Sequence, residues 1–240
     1  EITSTDLTGE LYADPYSIRV RRGQRLGIVV ETEALLTLAW RTPDGHSGEN
    51  TAFTRRNPGM VLESGHGGDL VLLVGATYLP PEGAYRLRVV DLSDEPPFAW
   101  STDHDEPAYH EAKAVLARRL YGRGSIEYVQ AVHDLGDAHW SLGSYGEARG
   151  AYERAREASD LLDMSDPDAA ELFMDTLRDI GEAQTQLGEY EAAGRTFAEL
   201  RAVHDELESS GEADLADTML SEGAHLTASG EYARAGRVLE

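Results

Sequence analysis

Polar and apolar positions alternate through the first third of the chain. In DPYSIRVRRGQRLGIVVE (14–31), Tyr16, Ile18 and Val20 point one way, and Ser17, Arg19 and Arg21 the other. After a Gly-containing turn the alternation resumes at Leu26, Ile28 and Val30. A period of two belongs to a half-buried strand, and two such runs around a tight turn predict a β-hairpin. Further strands are expected at LLTLAW (35–40), DLVLLVGATY (69–78) and AYRLRVV (84–90), with a turn at TPDG (42–45). Residues 44–68 are polar and Gly-rich, with one short strand expected near 60–62 and a turn within ESGHGGDL (63–70). Short strands with frequent turns predict an antiparallel β-sandwich over residues 1–93.

The Pro pair and acidic run of DEPPFAWSTDHDE (94–106) predict a linker. From Pro107 the period turns helical. In YHEAKAVLARRL (109–120) the apolar positions are Ala112, Val115, Leu116, Ala117 and Leu120. The strand segments DPYSIRVRRGQRLGIVV, LLTLAWRTPDG and GAYRLRVV, in that order, resemble the bacterial pre-peptidase C-terminal (PPC-like) domain. That resemblance implies a small jelly-roll-like sandwich that accompanies larger functional domains, with no catalytic residues of its own.

The helical part repeats itself. LGSYGEARGAYERA (142–155), LGEYEAAGRTFAEL (187–200) and SGEYARAGRVLE (229–240) align. The alignment superposes Gly136, Gly181 and Gly223; Gly143, Gly188 and Gly230; Tyr145, Tyr190 and Tyr232; Ala148, Ala193 and Ala235. The spacings are 45 and then 42 residues. Gly inside a helix costs about 1 kcal/mol against Ala, so its recurrence at one register predicts close helix–helix approach. Gly143, Gly188 and Gly230 are expected at helix C-termini, where the left-handed conformation favours Gly. Aromatic or apolar residues follow at Tyr152, Phe197 and Leu239, of which Tyr152 and Phe197 are expected to fill the space beneath the next repeat.

This pattern is similar to the tetratricopeptide repeat (TPR): a Leu-Gly pair, a Gly-x-Tyr turn, an Ala three residues on, then an aromatic. LGDAHWSLGSYGEARGAYERA (135–155) carries all of these. The second copy departs at Leu200 and the third at Glu222, and His139, Gln184 and Leu226 stand where a large aromatic is expected. The resemblance implies an all-α solenoid over 107–240. An incomplete leading repeat (107–127) would precede repeats at about 128–170, 171–212 and 213–240. The last breaks off inside its second helix without a polar cap, which predicts that the protein continues beyond Glu240. The resemblance further implies a concave face lined by the first helix of each repeat. Its residues would be Gln130, His133, Asp137, Trp140 and Ser141; then Asp175, Arg178, Glu182, Thr185 and Gln186; then Asp217, Leu220 and Thr227.

Charge narrows the partners. The formal net charge is −23, of which residues 1–100 carry −5 and residues 101–240 carry −18. Such a surface repels nucleic acid and anionic lipid and favours basic peptides or proteins. No long apolar stretch predicts membrane insertion. The chain has 0 cysteines, so disulfides and thiolate chemistry are excluded from this sequence.

Candidate chemistry is sparse. His104, Asp105, Glu106 and His110 lie together in the linker region, but their spacing fits no metal motif. Ser101, Asp103 and His104 could be imagined as a hydrolytic triad, yet no G-x-S-x-G elbow is present. No cofactor, metal or catalytic residue is therefore expected.

A PPC-like sandwich followed by long-period TPRs resembles the N-terminal region of bacterial CHAT-domain proteins, in which a caspase-like peptidase follows the repeats. The expectation is a non-catalytic scaffold or sensor that binds a protein or peptide, with the peptidase downstream. The alternative is an accessory module of an extracellular hydrolase whose sandwich binds glycan or substrate.

Overall fold

A computed structural model of the chain describes residues 12–32, 37–51, 59–76, 85–96, 105–206 and 212–239. The chain divides into two compact units, Glu1–Thr102 and Asp103–Glu240.

The first unit contains seven described strands: β1 (Tyr12–Val20), β2 (Arg25–Thr32), β3 (Thr37–Arg41), β4 (Ser47–Thr51), β5 (Gly59–Glu63), β6 (Gly68–Ala76) and β7 (Tyr85–Asp91). They form two sheets, ordered β1-β6-β3-β4 and β5-β2-β7, and every pairing is antiparallel. Alternate residues of both sheets meet in one apolar core. Val20, Leu38, Leu70, Leu72 and Val74 come from the first sheet; Leu26, Ile28, Val30, Met60 and Leu62 come from the second. Pro15 sits in β1, an edge strand, the position in a sheet where proline is tolerated.

The expected hairpin of residues 14–31 does not form. β1 pairs with β6, whereas β2 lies between β5 and β7 in the other sheet. The turn at 21–24 is tied to the second sheet. The Gly23 N–H donates to the Ser64 carbonyl at 2.7 Å, the Ser64 N–H to the Gln24 carbonyl at 3.0 Å, and Gln24 Nε2 to Asp91 at 2.7 Å. Alternation tells which face of a strand is buried, not which strand lies beside it. β4, SGENT, was not expected, because it has no apolar alternation. It is an edge strand held by β3, where Gly48 stands opposite Trp40. A Cβ at Gly48 would collide with the Trp40 ring, so the indole covers the strand only because a glycine is there. The other strands and the turn at 42–45 appear where expected, apart from residues 35–36, 77–78 and 84, which lie outside the described residues.

The second unit is helical: α1 (Pro107–Tyr121), α2 (Ile126–Ser141), α3 (Tyr145–Ser159), α4 (Pro167–Gln186), α5 (Tyr190–Glu206), α6 (Glu212–Ala228) and α7 (Tyr232–Val238). Starts follow local rules. Pro opens α1 and α4, Ser125 caps α2 by accepting from the Tyr128 N–H, and Asp166 caps α4 by accepting from the Asp168 N–H.

The three repeats close their first helices identically. Gly143, Gly188 and Gly230 have φ of 71°, 76° and 84°. In each, the glycine N–H donates to the carbonyl three residues back, and the next N–H to the carbonyl five back: Ser144 to His139, Glu189 to Gln184, Glu231 to Leu226. This is the Schellman arrangement, which satisfies carbonyls otherwise orphaned at a helix end.

The mid-helix glycines explain themselves next. A Cβ at Gly136 would strike the Tyr152 ring, one at Gly181 would lie 2.8 Å from Phe197, and one at Gly223 2.8 Å from Leu239. Each bulky residue therefore packs onto the glycine of its own repeat; Tyr152 also reaches Ile180 of the next. Ala148 and Ala193 are fully buried where the paired helices cross. First helices also touch one another, α2 against α4 and α4 against α6.

Candidate protein-binding face and a buried imidazole clamp

The residues expected on one face are all carried by α2, α4 and α6, but they do not form one exposed surface. Gln130 is engaged within the fold: its Nε2 donates to Asp134 at 2.8 Å, and Asp134 also accepts from Lys113 of α1 at 3.0 Å. Asp175 pairs with Arg178 at 2.7 Å. Ser141 donates to the Asp137 carbonyl, and Thr227 to the Gly223 carbonyl. Asp217 is exposed.

His133 is buried. Its Nε2 lies 2.9 Å from Asp179 of α4, its Nδ1 lies 3.6 Å from Asp137, and its ring leans on Tyr152 at 5.2 Å between centroids. Asp137 in turn accepts from the Tyr152 hydroxyl at 2.8 Å. Burial disfavours the charged imidazolium. The Asp179 hydrogen bond and the charges of Asp137, Asp179 and Asp134 outweigh burial and hold the His133 pKa above its ordinary value. Burial raises the Asp137 pKa, aided by Asp179 and Asp134 and opposed by His133 and Tyr152. Burial and the Asp137 carboxylate push the Tyr152 phenol up strongly. His133, Asp137 and Asp179 each offer an atom within 4.8 Å of the others, a separation that metal donors also show. The two carboxylates, however, address opposite ring nitrogens. The arrangement is an imidazole ring held between α2 and α4 with a carboxylate near each nitrogen.

Asp179 was missed in the sequence. Its signal was the repeat itself, because Asp179 is the equivalent of Asp134, 45 residues on. His133 thus meets the repeat equivalent of its own neighbour, Asp134.

The remaining residues converge. Trp140 of α2, Glu182, Thr185 and Gln186 of α4, and Leu220, Ser221, Ala224 and His225 of α6 line a cavity of about 320 Å³. Trp140 is set edge-on against Tyr145, centroids 4.9 Å apart. Glu182 accepts from the Ser221 hydroxyl at 2.6 Å, which joins α4 to α6. Burial raises the Glu182 pKa; the Ser221 hydrogen bond opposes it. Thr185 Oγ1 lies 3.1 Å from His225 Nδ1, and burial lowers the His225 pKa. Leu220 is 60% exposed at the rim.

Ion pairs also join the second helices, Arg154 of α3 to Glu111 of α1 at 3.3 Å and Arg156 of α3 to Glu199 of α5 at 2.6 Å, while Arg201 of α5 reaches Glu222 of α6 at 3.0 Å. Of the linker group, Ser101, Asp103 and His104 lie outside the described residues. Asp105 and Glu106 are exposed, and His110 stacks edge-on against Tyr109. No described helix is long and apolar enough to cross a membrane.

No protein-family model matches the chain. No curated protein matches it either. Among solved structures it is similar to BtubC (BKLC) from P. vanneervenii, at 17% identity and a TM-score of 0.47, over 55% of this chain and 52% of that one. The chain thus spans about half the length of that protein. It is also similar to a Podosopora anserina putative kinesin light chain with nearly identical TPR-like repeats, at 15% identity and a TM-score of 0.42, over 58% of this chain and 75% of that one.

Proposed function

We propose that the chain is a non-catalytic interaction scaffold or sensor whose TPR-like helices bind a protein or peptide across α2, α4 and α6. The observation that carries this reading is the cavity to which three successive first helices each contribute. A helix array presents a continuous surface of this kind to an extended partner. Trp140 supplies the aromatic anchor typical of binding hot spots. With −18 on residues 101–240, the favoured partner is basic or mixed in charge. The binding residues are Trp140, Glu182 and Gln186, with Asp217 and Leu220 at the side of α6. Gln130, His133, Asp137, Asp175 and Arg178 shape the helices that hold them. The two-sheet unit is read as a PPC-like sandwich of about residues 1–93, joined by a linker over 94–106. The order of units is read as that of the N-terminal region of a CHAT-type signalling protein.

The test is selection of random displayed peptides on the full chain. Selected peptides should lose more than about tenfold in affinity to Trp140→Ala and to Leu220→Lys. Leu220 is exposed, so its substitution leaves folding intact. Unchanged binding to both variants would remove this face as the partner site.

A further inference from the structure

We infer that the cavity between α2, α4 and α6 is a receptor for a single cationic side chain, Arg or Lys, of the bound peptide. The inference rests on the binding reading above and names what enters the site. The cavity wall holds one carboxylate, Glu182, and one imidazole, His225. Burial lowers the pKa of that imidazole, which disfavours a positive charge there.

Glu182 spends one oxygen on Ser221, and among the described residues no cation lies within ion-pair distance of it. Arg178, one turn earlier on α4, is engaged by Asp175 at 2.7 Å and Asp179 at 3.7 Å. Arg178 acts on Glu182 only from beyond ion-pair distance, so the half-buried carboxylate is incompletely balanced, and a cation arriving from a partner relieves that cost.

The rest of the wall suits the same guest. An indole face attracts Arg and Lys, and the exposed Leu220 offers an apolar surface for their methylene stem. Gln186 and Ser221 provide oxygen acceptors for the donors that Glu182 does not take. An acidic or purely apolar guest would leave Glu182 uncompensated, which selects against it.

The probes are the peptides selected on the full chain, resynthesised with each Arg replaced by citrulline or each Lys by norleucine. Affinity is read by fluorescence anisotropy. One neutralised position should weaken binding about tenfold or more, and that difference should shrink to below about threefold on Glu182→Gln, which keeps an oxygen for Ser221. If peptides bind through Trp140 but no single neutralisation matters, or if its effect is undiminished in Glu182→Gln, the cation receptor is wrong and the binding face stands. If selection yields no peptide sensitive to Trp140→Ala, the binding face itself fails, and the receptor with it.

Discussion

At the scale of single residues, the carboxylates around the buried His133 have a readable consequence for pH. His133 has a folded pKa above its ordinary 6.5. Its stabilising contribution is therefore fully present below that value and is lost as pH rises through the raised folded value. Asp137, also raised, acts with the same sign in a lower window, starting from its ordinary 3.8. Denaturant unfolding of the full chain in chelator-treated buffer should show the stability of the helical unit falling as pH rises above about 6.5. His133→Gln should flatten that slope; an unchanged slope would mean the clamp does not titrate there. None of this was legible from spacing alone. A histidine four residues before an aspartate on one helix is commonplace, and the decisive partner, Asp179, comes from another repeat 46 residues away. The groove register implied by the repeat did place Trp140, Glu182 and Gln186 together. It also put His133 on that face, and packing has drawn His133 inside.

At the scale of elements, the helical repeat was legible because its special residues report backbone conformation and contact directly. A glycine at φ near 75° and a glycine under an aromatic ring both leave their mark in the sequence. The sheets were harder, since period two names a face and omits the neighbour. Hence the strands at 14–20 and 25–30 were found while their pairing was not, and β4 went unseen because a backbone ladder to β3 holds it. The helix contact can be tested by contrast. Gly136→Ala should destabilise the helical unit by about 1–3 kcal/mol through overpacking against Tyr152. Gly146→Ala, on an exposed turn of α3 with nothing within 4 Å, should be neutral or stabilise by up to about 1 kcal/mol. Urea midpoints of the two variants against the parent chain decide the matter, and equal effects would reject the packing role of Gly136.

At the scale of the whole molecule, two units with separate cores predict two unfolding events. Calorimetry of the full chain should give a total enthalpy larger than the van't Hoff enthalpy of either transition. Salt should shift the two events unequally. Residues 101–240 hold −18 and residues 1–100 hold −5, so screening of self-repulsion raises the helical transition more than the other. A single transition with equal salt response would show the units to be energetically coupled.

The pairing of each mid-helix glycine with a bulky residue sixteen positions later bears on how such a chain can lengthen. Both halves of the contact lie inside one segment of 42–45 residues. A duplication of that segment copies the socket together with what fills it, so the new unit arrives already fitted. Later change is then constrained in pairs: an added Cβ at Gly223 would strike Leu239 as closely as one at Gly181 would strike Phe197, so glycine and partner change together.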